Sequence, residues 1–308
     1  MNNFIILSDV NCDLGEKFTS EYDIEIVFGH YVTPDGVEHR SVLDWNTVSR
    51  EEFYTALKKD PNGFSSAPPS VGEYYEAFEK HAKAGEPVLA IVISDKLSGA
   101  FGFMTEAKKE ILEKYPEAKI EIINTLRFGP SIGLIAVNAA ILRKEGKSFE
   151  EVAQYIEANK NRFHQMGWLD DLDFVARKGR LSHAKAFFGK MVGIKPLGDF
   201  DYNGLTTVIG KAKGEKAAYN AIIEYISRTI ENAEDQMIFV ATTNRRKQAE
   251  VLKTMIEEKF HPKAVFVNDV FPNCGINVGP GLMAAYYIGK PISADLVEEK
   301  KLMDEIIG

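Results

Sequence analysis

A two-domain α/β protein is predicted: a Rossmann-like N-terminal domain over residues 1–162 around a parallel sheet, and a C-terminal α/β domain over 163–308 that includes a β-hairpin. Three observations predict it. Short apolar runs alternate with stretches of helical periodicity, the pattern of strand–helix–strand units with right-handed crossovers. One run, Val88-Leu89-Ala90-Ile91-Val92-Ile93, is continuously apolar, as a strand covered on both faces must be. The chain has 308 residues, and a chain of that length usually organises about two cores.

The elements follow in order. Residues 4–7 are a short apolar strand ending at Ser8-Asp9, and 51–57 and 74–84 read as helices. The strand at 88–93 stops at Ser94-Asp95, after which Leu97, Phe101, Met104, Ile111 and Leu112 fall near helical spacing. A strand at 120–123 precedes an apolar helix at 132–142 that ends at Glu145-Gly146-Lys147, and Ser148 caps the next helix. Past the boundary, 174–195 is basic and punctuated by glycine. Residues 194–200 and 205–209 read as a hairpin about Asn203-Gly204. An amphipathic helix at 215–230 precedes a strand–helix–strand unit at 238–241, 245–256 and 264–267. Residues 275–281, with three glycines, read as a loop.

Composition narrows the function. Lys and Arg number 37 against 45 Asp and Glu, a net charge of −8 that argues against non-specific nucleic-acid binding. No apolar run approaches the roughly 20 residues that span a bilayer, so no integral membrane segment is expected. The start Met1-Asn2-Asn3, with only four apolar residues after it, has no secretory pattern, and a cytoplasmic location is expected. Cys12 and Cys274 cannot make a disulfide framework or a four-sulfur zinc site. The histidines at 30, 39, 81, 164, 183 and 261 lack metal-ligand spacing and read as surface or internally satisfied side chains, so neither metal nor cofactor is expected.

In parallel sheets ligands bind beyond the C-terminal strand ends. Three polar turns take that position: 8–13, 94–98 and Asn124-Thr125. Ser94 or Asp95 suits plain helix capping, whereas Ser98, followed by Gly99, suits an anion facing free amides. Neither glycine-rich nucleotide motif is present, nor is G-x-S-x-G. Phe64-Ser65-Ser66-Ala67-Pro68-Pro69-Ser70 is either a loop with a cap or a hydroxyl-bearing loop over the sheet end. The basic run around Arg177, Lys178, Arg180 and Lys185 is either a solvated face or a dock for an acidic partner. Asp9 and Asp13 suit loop and cap roles or those of catalytic carboxylates, and Trp45 and Trp168 suit core anchors.

Six of these segments, in order, resemble the DegV family. They are Asp9-Val10-Asn11-Cys12-Asp13-Leu14, Ser66-Ala67-Pro68-Pro69-Ser70, Ile93-Ser94-Asp95-Lys96-Leu97-Ser98-Gly99-Ala100, Asn124-Thr125, Gly179-Arg180-Leu181-Ser182 with Ile194-Lys195-Pro196, and Asn277-Val278-Gly279-Pro280-Gly281. The resemblance implies a non-enzymatic, two-domain protein that holds one long-chain fatty acid between its domains. It would present the carboxylate to the catalytic subunit of a separate fatty-acid kinase for phospholipid synthesis. It further implies carboxylate contacts from Ser66 (or Ser65, with a one-residue gap), Ser98 and Asn277, and partner docking through Arg180. Where the family has Thr, His and the Thr of its G-T pair, this chain has Ser66, Asn277 and Ala100, so the polar end of the site is altered. For an acyl tunnel the expected lining is Phe101, Phe103, Ile132, Leu134, Ile135 and Phe188. The alternatives are a binder of another anionic small molecule and a small-molecule enzyme using Asp9, Asp13 and Ser98.

Overall fold

The computed structural model describes residues 4–181 and 193–308. Two compact units emerge, each assembled from separate stretches of chain. The first comprises Met1–Asp44, Asn62–Lys160 and Phe271–Cys274; the second comprises Trp45–Pro61, Asn161–Val270 and Gly275–Gly308.

The first unit is built on strands β1 (Ile5–Asp9), β2 (Ile24–Val27), β3 (Gly29–Val32), β4 (Glu38–Ser41), β5 (Ser65–Ala67), β6 (Val88–Val92) and β7 (Ile120–Asn124). Four of them form the expected parallel sheet in the order β2-β1-β6-β7. Every residue of β6 is buried, which accounts for its unbroken apolar run. From β1 the chain passes outward to β2 on one side and later to β6 and β7 on the other. The strand order therefore reverses between β1 and β6, the place where open α/β sheets leave a crevice at their C-terminal ends. The other three strands pair antiparallel as β4-β3-β5, so part of the stretch read as a loop at 64–70 is a short strand. Ser70 then caps helix Val71–Ala84 in a reciprocal box with Glu73, and Ser148 does the same with Glu151 for Phe149–Asn159. Helix Pro130–Lys144 is buried on nearly every face, as its composition requires.

The second unit is built on β8 (Phe163–Leu169), β9 (Ile194–Phe200), β10 (Thr206–Lys213), β11 (Met237–Thr242), β12 (Ala264–Asp269) and β13 (Leu282–Ile288). They form one mixed sheet, β10-β9-β8-β13-β11-β12. The hairpin is β9–β10; its turn is closed by the Asp201 carboxylate, which accepts from the Asn203 and Leu205 N–H at 2.9 Å each, with Gly204 at φ +88°. The predicted strand–helix–strand unit is β11, helix Arg246–Phe260 and β12, paired in parallel. Trp168 is buried, and Trp45 donates to Asp269 at 3.0 Å. His164 stacks on Tyr287 and bonds Asp199 at 2.6 Å, so it is a satisfied core histidine.

One expectation is corrected here: residues 272–278 are helical, Pro272–Val278, and only the end of the glycine-rich stretch is a loop. Gly275 is selected by packing, because a Cβ there would stand 2.4 Å from the Tyr54 hydroxyl oxygen. In β8, Gly167 is held more tightly still: a Cβ would stand 2.1 Å from the Met283 carbonyl oxygen and 2.4 Å from Ala284. Gly167→Ala is therefore expected to destabilise the protein by about 1–3 kcal/mol through overpacking, read as a lower denaturant midpoint. An unchanged midpoint would contradict this close approach of β8 and β13.

Candidate functional site

In the first unit the C-terminal ends of β1, β6 and β7 gather three polar turns. Their backbone groups are satisfied by one another. Ser94 N–H donates to the Arg127 carbonyl at 3.0 Å, and the Ser94 carbonyl accepts from Leu97 and Ser98 N–H at 3.0 and 3.2 Å. Thr125 donates to the Val92 carbonyl from both its N–H (3.1 Å) and its hydroxyl (2.8 Å). Asn124 and Asp95 bond side chain to side chain at 2.9 Å, and with Lys96 the amide holds the Asp95 carboxyl below the ordinary range.

The two serines of the 94–98 turn differ. Ser94 is fully buried, and its Oγ accepts from Lys96 N–H at 3.2 Å, so it is a turn-forming residue. Ser98 is partly exposed just before helix Ala100–Lys114. Among the described residues its hydroxyl has one hydrogen-bond partner, the Ala100 N–H at 3.3 Å. It accepts there, so its own proton stays available to an incoming acceptor. No carboxylate or imidazole among the described residues bonds it as a base would.

Ser66 lies in β5 opposite Tyr31 of β3, partly buried, while Ser65 beside it is exposed. A Cβ on Gly29 would touch Val10 at 3.2 Å and the Ala67 carbonyl oxygen at 2.6 Å, so β3 and β5 lie against the turn that follows β1. Ser66 thus lies on a strand beside the turn after β1, and Ser98 in the turn after β6. Asn277, partly buried, is in helix Pro272–Val278 and belongs to the second unit. Ile132, Leu134 and Ile135 are fully buried in helix Pro130–Lys144. Phe101 is partly exposed, and Phe103, 42% exposed, packs its ring edge over Gly99. Phe188 lies outside the described residues. Arg180 is exposed in the turn after helix Leu172–Arg177, where Gly179 takes φ +72° and Arg180 reaches back to the Lys178 carbonyl. Of the basic run, residues 182–192 also lie outside the described residues; Lys195 pairs with Asp170 at 2.6 Å over the Trp168 ring.

The buried acids at the end of β1 are already engaged. Asp9 Oδ2 accepts from the Tyr74 hydroxyl at 2.5 Å, and Oδ1 accepts from the Asn11 N–H and Nδ2 at 2.9 Å each. Asp13 Oδ1 accepts from Phe271 N–H at 2.8 Å. Two residues were missed by sequence reasoning. Tyr74 reads only as the start of a helix, and Arg127, fully buried after β7, carries no reading from sequence. Sequence offers only a faint signal for the latter, an arginine between Leu126 and Phe128 beside a strand end.

A family model described as uncharacterised protein, DegV family, matches residues 3–290. The chain belongs to the DegV family. A DegV domain-containing protein of Clostridium perfringens is 31% identical over 289 residues, which is 94% of this chain and 98% of that relative. Among solved structures, a DegV family protein from Thermus thermophilus described by its fatty-acid binding aligns with a TM-score of 0.83 at 20% identity, over 93% of this chain and 99% of that one. A stearic acid-binding protein from Eubacterium ventriosum aligns with a TM-score of 0.80 at 20% identity, over 93% and 98%. The mixed α/β architecture is thus the DegV fold.

The Asp9 environment yields a pH prediction. Burial pushes its carboxyl above the ordinary value of 3.8, and the Tyr74 and Asn11 bonds only partly oppose this. The folded state then holds the proton more tightly than the unfolded state. Stability on this account falls as pH rises from 3.8 towards the raised folded value, and the cost stays in full above it. Asp9→Asn removes the charge and keeps an acceptor. Its stability relative to the unsubstituted protein should rise as the pH climbs above the ordinary carboxyl value of 3.8, read from urea midpoints. Parallel profiles would show that Asp9 titrates as a solvated carboxylate.

Proposed function

We propose that the protein binds a long-chain fatty acid in its first unit's polar rim and adjoining apolar interior, and presents the carboxylate to a separate fatty-acid kinase. It does so in the cytoplasm, as a step towards phospholipid synthesis, without catalysing a reaction itself. The observation that carries the reading is Ser98: a partly exposed hydroxyl with an uncommitted proton, at the switch point of the sheet and the start of a 15-residue helix. The description of the Thermus thermophilus and Eubacterium ventriosum proteins as fatty-acid binders supports the same ligand class.

The energetics favour such a ligand. Burying an acyl chain gains about 0.8 kcal/mol per methylene, on the order of 11 kcal/mol gross for about fourteen of them, before ordering and association costs. A dry, unpaired carboxylate would cost several kcal/mol. Hydroxyl donors offset that cost: Ser98 and Ser66, with Ser65 as a further head-group contact. The apolar lining is assigned to Phe101, Phe103, Ile132, Leu134 and Ile135. An enzyme built on Asp9, Asp13 and Ser98 is disfavoured, because both Asp9 oxygens are committed and no base among the described residues bonds Ser98.

Mass spectrometry of the denatured, purified protein should release an acyl lipid. In fatty-acid titrations Ser98→Ala should weaken binding by about tenfold, the scale of one lost hydrogen bond to a charged group, and Ser94→Ala by less. No extracted lipid together with no binding of added fatty acid would overturn the reading; equal losses would remove Ser98 from the site. Arg180, on its exposed turn, is assigned to partner docking. Arg180→Ala should leave fatty-acid affinity unchanged and slow phosphorylation in a reconstituted kinase assay; unchanged turnover would remove that role.

A further inference from the structure

We propose that Asn11 and Asn273 are positioning residues: they form a buried amide relay that ties strand β5, and with it Ser66, to a proton held on Asp9. The inference rests on the fatty-acid reading above only for the use made of Ser66. β5 is three residues long and runs into Pro68-Pro69, which have no N–H to give, so it has few main-chain bonds of its own. Its Ala67 lies opposite His30 of β3, next to the Tyr31–Ser66 pair. The Asn273 side chain is buried beside Ala67 and His30. One end of its amide lies 3.2 Å from the carbonyl oxygens of both residues, and the other end 2.8 Å from Asn11 Oδ1. Asn11, also buried, reaches Asp9 Oδ1 at 2.9 Å through its own amide. Three side chains in series thus run from the end of β1 to the carbonyls of β3 and β5, all within the first unit.

An amide has one donor end and one acceptor end, so the orientation of each member dictates the next. The two strand carbonyls only accept, and Asn273 satisfies them when its Nδ2 faces them. Its Oδ1 then faces Asn11, which must present Nδ2, and Asn11 Oδ1 is turned towards Asp9 Oδ1. Two oxygens brought that close require a proton between them, and Asp9 is the group that can carry it. With Asp9 ionised the chain runs the other way. Asn11 Nδ2 donates to Asp9, Asn273 Nδ2 donates to Asn11 Oδ1, and Asn273 Oδ1 opposes the two carbonyls. One proton therefore decides whether Asn273 clips β3 to β5 or repels both. The surroundings suit a neutral Asp9. Tyr74 of helix Val71–Ala84 donates to Oδ2 at 2.5 Å, and no cation among the described residues bonds the carboxyl. The other titratable groups beside it, Cys12 and Asp13 of the turn after β1 and Cys274 of helix Pro272–Val278, bring no positive charge, and burial holds both thiols neutral. His30 and Glu73 are engaged with each other at 2.8 Å. Burial raises the Asp9 carboxyl in the direction the relay requires.

The test follows the carbon NMR signal of the labelled Asp9 carboxyl against pH, in the unsubstituted protein and in Asn273→Leu, which keeps the side-chain size. Burial alone predicts that the apolar replacement leaves the Asp9 midpoint in place or raises it. The relay predicts a fall of at least about half a pH unit, because the proton no longer serves the strand carbonyls. A midpoint that stays or rises overturns the inference. A second measurement needs no variant: the side-chain nitrogen signals of Asn11 and Asn273 should move with the Asp9 midpoint, and unmoved signals or separate midpoints overturn the inference as well. Palmitate titrations read the consequence for Ser66. The clip is present below the Asp9 midpoint and lost as pH rises through it. Below that midpoint the unsubstituted protein should bind palmitate at least about threefold more tightly than Asn273→Leu, the scale of one hydrogen bond, and the ratio should shrink above it. The ligand's own ionisation cancels in that ratio. A ratio independent of pH overturns the link to Ser66. Failure of the unsubstituted protein to bind palmitate overturns that link and the fatty-acid reading together, while the NMR titrations still decide the relay.

Discussion

Parallel strands end together, and every backbone group they release at that edge must find a partner. In the first unit this constraint organises the candidate site. Beyond β6 and β7 the groups are satisfied by neighbouring turns: Ser94 with Arg127, Thr125 with Val92, Asp95 with Asn124. A buried polar group without a partner costs about 1–3 kcal/mol, so these turns are held by the same requirement that holds the sheet. Ser98 and Arg127 inherit their positions from it. Both are bonded through their main chains to a single residue, Ser94.

Two serines of one segment therefore make the same kind of local bond in different surroundings. Ser94 accepts from Lys96 N–H in full burial, and Ser98 accepts from Ala100 N–H at the surface. Both make a local turn bond; what separates them is access. A hydroxyl that accepts locally still carries a proton, and only the one that solvent or ligand can reach has a use for it. Asp9 is the opposite case. Its fixed position comes from Tyr74 and Asn11, and those bonds use the acceptor capacity a general base would need.

Much of this was legible in the sequence, and the boundary of legibility is physical. β6 showed in its unbroken apolar run, helices Val71–Ala84 and Phe149–Asn159 in their Ser-x-x-Glu caps, and the hairpin in Asn203-Gly204, because each signal is local. β3 and β5 were not legible: three or four residues with His30, Ser65 and Ser66 among them carry no periodic signal, and their pairing spans distant sequence. Helix Pro272–Val278 was masked by Gly275, whose reason is the Tyr54 hydroxyl more than two hundred residues away. Ser98 was singled out by the family pattern, and the structure adds its surroundings. The burial of Arg127 was not legible, since an arginine's burial depends on which turn closes over it.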